Sequence, residues 1–98
     1  MDYKVLITDA AIYDLAQIIR FVAQDDSISA ARVGEKLIGR VSRLATLAER
    51  FPLHDKRRAI RKMTVAPYLI FYTIERNAAA VYVLHIWHGA RRPPHFPG

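Results

Sequence analysis

A chain of 98 residues that is 52% hydrophobic and has no linker-like tract fits a single domain over residues 1–98, and its apolar runs fall far short of the roughly 20 residues needed to span a bilayer. There is no cysteine and no basic segment followed by an apolar stretch, which excludes disulfides, thiolate metal sites and a recognisable signal peptide and leaves a cytoplasmic location as the expectation. The net charge of +6 is unevenly placed: residues 1–55 carry seven Lys/Arg against eight Asp/Glu and residues 56–98 carry eight against one, which favours a polyanionic or acidic partner for the C-terminal half over a merely solvated surface.

The first segment, "YKVLIT" (Tyr3 to Thr8), is a short β-rich run, after which Thr8 or Asp9 supplies an N-cap oxygen. In "DAAIYDLAQIIRFVAQ" the residues Ile12, Leu15, Ala16, Ile19 and Val22 recur at spacings of three and four, predicting a helix with that apolar stripe that ends near Asp25 and Asp26. A second helix should start with Ser27 or Ser29 as its cap and bury Ala30, Leu37, Val41, Leu44 and Ala48. It should stop near Phe51, because Pro52 disfavours helical geometry in the residue before it. Beside that stripe Arg32, Lys36, Arg40, Arg43 and Arg50 gather within about 80° on the helix, at roughly 100° per residue. This basic face is either ordinary solvated surface or the landing side of an acidic partner.

After the polar stretch "PLHDKRR" the hydrophobic period changes to two. "RAIRKMTV" (Arg58 to Val65), "YLIFYTIE" (Tyr68 to Glu75) and "AAVYVLHIW" (Ala79 to Trp87) read as strands, joined by tight connections at Ala66-Pro67 and Arg76-Asn77-Ala78. The middle run is apolar at nearly every position, as a central strand covered on both faces would be. The predicted class is therefore α+β in the order β-α-α-β-β-β, an antiparallel sheet with the helix pair packed on one face.

Among chemistries, a metal site is disfavoured although His54, His85, His88 and His95 are available: His85 and His88 stand three apart on a strand and point to opposite faces, and no nearby carboxylate completes a set with them. Neither a cysteine nor a Gly-x-Ser-x-Gly turn offers a nucleophile, and the scattered Gly34, Gly39, Gly89 and Gly98 cannot cradle a phosphate, so no metal and no cofactor are expected. What remains is a set of cations interleaved with aromatics: Lys56, Arg57, Arg58, Arg61 and Lys62 around the second strand, then Trp87, His88, Arg91, Arg92, His95 and Phe96 at the end. Such a set can bind phosphates, stack bases or polarise a phosphodiester without metal. Plainer roles stand beside that one: Trp87 as core packing, His88 bonded to nearby backbone, Arg92 in solvent.

Four segments, "AAIYDLAQIIRFVAQ", "RLATLAERFP", "RKMTVAPYLIFYTIE" and "VYVLHIWHGARRPP", resemble the RelE/ParE-type toxins of bacterial type II toxin–antitoxin pairs over nearly the whole chain. The last two are the more specific, with a Pro-Tyr start to an Ile-Phe-Tyr strand and a closing His-Gly-Ala-Arg. The resemblance implies a growth-inhibiting toxin neutralised by a cognate antitoxin. It also poses a choice, since some members cut mRNA on the ribosome and ParE-like members poison DNA gyrase.

Nuclease members have two alternating basic side chains on the second strand and an arginine after the tyrosine that opens the third. They also carry an arginine past the last strand and an aromatic hydroxyl near the C-terminus. Here those places hold Ile60 and Lys62, Leu69, Arg91 and Phe96, so only Lys62 and Arg91 match. Each lost cation or general acid costs roughly 10²–10⁴ in rate. The resemblance thus implies a ParE-like, protein-binding inhibitor of gyrase that contacts its target or phosphates through Arg58, Arg61, Lys62, Trp87, His88, Arg91 and Arg92. The alternative is a metal-independent, ribosome-dependent mRNA endonuclease using Arg61, Lys62, His88 and Arg91. A third reading, a basic nucleic-acid-binding module, rests on charge alone. Arg91 is the strongest candidate, aimed from the strand end after a turn at Gly89.

Overall fold

The computed structural model describes residues 2–96. Strand β1 (Lys4–Ile7) gives way to helix α1 (Asp9–Ala23) at Thr8, whose extended backbone lets its Oγ1 accept from Ala11 N at 3.3 Å while donating to Val83 O at 2.8 Å. One hydroxyl thus caps the helix and ties its start to the sheet. Helix α2 (Ser27–Ser42) is capped by Asp26, where Ser27 or Ser29 was expected. The Asp26 carboxylate accepts from Ser29 Oγ at 2.7 Å and Ile28 N at 3.0 Å, and these bonds hold it below the usual carboxylate range. A short α3 (Leu44–Leu47) follows.

The predicted stripe Ala30, Leu37, Val41, Leu44 and Ala48 is buried throughout, although the helix axis breaks at Arg43 and the last two positions lie on or just after α3. The stripe of α1 is rotated from its expected phase. Ala11 is fully buried and Leu15 and Ile18 pack against the core, whereas Ile12 is 53% exposed and Ala16 is also exposed. The physical reason is Asp14, a polar residue on the inward side that bonds the sheet and so breaks the apolar pattern. Between the helices, a Cβ on buried Gly34 would stand 3.1 Å from Ile19 Cδ1, so glycine permits their close approach.

Strands β2 (Leu53–Asp55), β3 (Ile60–Val65), β4 (Tyr68–Glu75) and β5 (Ala80–His88) complete a five-stranded sheet in the order β1-β5-β4-β3-β2. The sheet is mixed where an antiparallel one was expected, because β1 runs parallel to β5; alternation along a strand is the same in either direction and carries no sign of it. The three-residue β2 lies within the polar stretch and pairs with β3.

Met63, Val65, Ile70, Tyr72, Val81, Val83 and Ile86 form the buried side against the helices. Tyr72 donates its hydroxyl to Ala48 O at 2.6 Å, pinning the end of α3 to the central strand, and burial pushes its pKa up to about 12. The opposite face carries the row Lys62, Phe71 and His85, opposed across β3, β4 and β5. Phe71 is fully buried even there, because the rings of His54 and Phe96 cover it at 4.8 Å and 5.4 Å.

Candidate target-binding surface

At the end of β5 the chain must leave the sheet without losing its direction, and short bonds do this. Gly89 N donates to Pro67 O at 2.8 Å and Arg91 N to His88 O at 3.0 Å. A Cβ on Gly89 would approach that same Pro67 carbonyl at 3.1 Å, so glycine serves here through close approach to a neighbouring backbone. His88 Nδ1 accepts from Ala90 N at 3.1 Å, and its ring meets Tyr68 edge-on at 5.6 Å.

The turn delivers Arg91 onto Trp87, its guanidinium carbon 4.4 Å from the ring centroid. Trp87 is half-buried, and its Nε1 donates to Arg92 O at 2.7 Å. The indole is therefore a clamp, with one edge holding the tail backbone and one face carrying a cation. A cation over an indole is attracted by the ring quadrupole, worth about 0.5–1 kcal/mol at an exposed site. Arg91 is oriented while its fork of donors stays exposed.

The other expected cations go elsewhere. Arg61 lies on the helix side of β3, where its Nη1 donates to Phe51 O at 2.7 Å and Glu49 O at 3.3 Å. Arg58 donates its backbone N to the Asp55 carboxylate at 3.1 Å and pairs its guanidinium with it at 2.9 Å, closing the β2–β3 turn and holding Asp55 below the usual carboxylate range. Lys62 is half-buried on the opposite face, in the row with Phe71 and His85. The structure thus brings together Trp87, His88, Arg91 and Arg92, and does not gather Arg58, Arg61 and Lys62 with them.

Two features went unseen in the sequence. Asp14 Oδ2 lies 2.7 Å from His85 Nδ1 and accepts from Ile86 N at 3.0 Å, joining α1 to β5. Beside it, a groove of about 620 Å³ runs between α1 and the end of β5, lined by Tyr13, Phe21, Tyr68, Trp87, His88 and Arg91 among others. Among the described residues, no three His, Asp or Glu side chains are grouped to hold a metal ion, and no helix is long and apolar enough to cross a membrane.

The sheet, the helix pair and this strand end match the family model "ParE toxin of type II toxin-antitoxin system, parDE" over residues 5–93. The chain belongs to the ParE toxin family. Its fold is similar to that in the chromosomal ParDE toxin–antitoxin system from P. aeruginosa, with a TM-score of 0.75 and 17% identity over 88% of this chain and 95% of that one. It is also similar to that in the toxin–antitoxin complex RelBE2 from Mycobacterium tuberculosis, with a TM-score of 0.62 and 22% identity over 90% of this chain and 99% of that one. No curated protein matches it. The resemblance read from "YLIFYTIE" and "VYVLHIWHGARRPP" therefore holds for this ParE-family toxin at the level of family and fold.

Proposed function

We propose that this toxin inhibits DNA gyrase by binding it through the Trp87–Arg91 end of the sheet, and that a cognate antitoxin neutralises it. The observation that carries the reading is where the cations go. Phosphodiester cleavage needs charges and a proton donor converging on one phosphate. Here Arg61 is turned into the fold to bond carbonyls, Arg58 is paired with Asp55, and Ile60 and Leu69 put apolar side chains on the open face beside Lys62. Arg91 on its indole is instead an oriented, exposed cation of the kind that anchors protein contacts. On this reading the toxin acts in the cytoplasm.

The test adds purified toxin to gyrase with relaxed plasmid and, in parallel, to translating ribosomes. Supercoiling should fail while message ends stay intact, and Leu69→Arg with Ile60→Lys should leave the gyrase effect largely in place. Robust codon-dependent cutting by the unaltered chain would replace this reading with the nuclease one, in which Arg61, Lys62, His88 and Arg91 handle phosphate and proton.

A further inference from the structure

We infer that Asp14 and His85 are positioning residues for Arg91, acting from helix α1 through the Trp87 ring; the inference rests on the proposed role of that surface. Its starting point is a gap in the sheet. Strand β1 pairs with β5 only as far as Ile7 opposite Val83, so beyond that point the outer edge of β5 has no strand to accept its N–H groups. A strand N–H beside a packed helix needs an acceptor, and Asp14 Oδ2 supplies it to Ile86 N at 3.0 Å. That bond alone would account for the carboxylate. The same oxygen also lies 2.7 Å from His85 Nδ1, and the two side chains are only 11% and 24% exposed.

The pairing register explains why this imidazole lies where it does. Phe71 faces His85 while its neighbour Tyr72 faces Val83, so Leu84 is an extra residue on β5. Such bulges re-aim the side chains beyond them. Strict alternation after the buried Val83 would send His85 toward the helices; the bulge turns it to the open face with Trp87, two residues on. The two rings meet at 5.6 Å and 79°, an edge-to-face contact.

Trp87 is half-buried and not seated in the core, so its ring plane depends on the groups that touch it. Its Nε1 is held by Arg92 O and one neighbour is the His85 ring; Arg91 then stacks on the indole. The contacts form a continuous path from Asp14 to His85 to Trp87 to Arg91. The carboxylate fixes the imidazole, the imidazole fixes the indole, and the indole presents the arginine.

Trp87 is the only tryptophan, so its fluorescence in the full-length toxin reads the path directly, without any target. His85→Asn keeps an N–H donor near the Nδ1 position but removes the rest of the ring; His85→Phe keeps a ring and loses the bond to Asp14. With far-UV spectra confirming the fold, His85→Asn should red-shift Trp87 emission and raise its quenching by acrylamide. It should also weaken gyrase inhibition about twofold to fivefold, the scale of a lost cation–π contact. His85→Phe should restore part of both. Unchanged Trp87 emission and quenching in folded His85→Asn overturns the inference, whatever happens to gyrase. If His85→Asn does not fold, folded His85→Phe decides, because it keeps the ring and cuts the bond to Asp14: Trp87 emission red-shifted and more strongly quenched than in the native toxin supports the path, and emission and quenching equal to the native values refute it. A changed Trp87 signal with gyrase inhibition untouched keeps the path and counts against the gyrase contact instead.

Discussion

Arg91 is exposed, but the 4.4 Å stack on Trp87 gives it a fixed bearing, so its loss should hurt recognition more than folding. Arg91→Ala should abolish toxicity, and Arg91→Lys should weaken it, because an ammonium keeps the charge over the ring without the planar fork. Arg92→Ala should do less: the bond that Arg92 gives the clamp comes from its carbonyl, which alanine retains. Removing an exposed cation–π pair costs about 0.5–1 kcal/mol, so the melting temperature of Arg91→Ala should fall by no more than about 8 °C. Growth assays beside thermal melts check this, and full growth arrest by Arg91→Ala would remove the residue from the contact. The candidacy of Arg91 was legible because a strand end, a glycine and an arginine are adjacent in sequence. The fates of Arg58 and Arg61 were not: one is spent on a local carboxylate, the other on two carbonyls, and backbone acceptors leave no mark on residue identity. The Asp14–His85 pair was hidden for another reason, since 71 positions separate partners that only the packed helix brings together.

Elements were legible where one face is uniformly apolar, as in the stripe from Ala30 to Ala48, and illegible where a polar group belongs inside, as with Asp14 on α1. Strand β2 escaped because three residues of edge strand, two of them exposed, show no alternation to detect. The central strand reads correctly as covered on both faces, and Tyr72 shows what that costs and secures. Its hydroxyl, buried and bonded to Ala48 O, links β4 to the end of α3, and desolvation of the phenolate raises its pKa to about 12 from 10.0. Between those values the folded chain holds a proton that the unfolded chain releases. The neutral hydroxyl's contribution is therefore fully present below pH 10 and is lost as pH climbs through 12, up to roughly 2–3 kcal/mol. Tyr72→Phe should cost about 1–2 kcal/mol near neutral pH through the bond it deletes and the carbonyl it strands. It should also flatten the alkaline fall. Urea midpoints measured from neutral pH to the alkaline limit in both proteins check the pair of effects; an equal alkaline fall in Tyr72→Phe would assign it to other groups.

At the scale of the whole molecule, the exposed side chains fit a toxin that spends much of its time covered. The helix pair leaves Ile12 53%, Tyr13 65% and Phe21 71% exposed on α1, and Ile28 63% and Ile38 49% exposed on α2, while Arg32, Lys36 and Arg40 stand exposed along α2 and Arg43 at its C-terminal cap. Apolar groups interleaved with unrelieved positive charge suit an acidic, amphipathic segment that orders as it binds, the chemistry expected of an antitoxin tail. Binding to the folded toxin at a thousand times the dissociation constant adds about 4 kcal/mol to apparent stability, which for a chain of this size raises the melting temperature by roughly 15–30 °C. Phe21→Ser and Ile28→Ser should leave the free toxin within about 0.5 kcal/mol of the parent, because exposed positions tolerate exchange, yet shrink the antitoxin-induced rise at fixed concentration. Raising salt from about 0.1 M to 1 M shortens the screening length from about 10 Å to 3 Å, so the rise should shrink again if the α2 cations take part. Thermal melts of each toxin with and without the neighbouring gene's product measure all three effects. No rise for the parent toxin would reject that product as its antitoxin, and an undiminished rise in both serine variants would move the contact away from the helix pair.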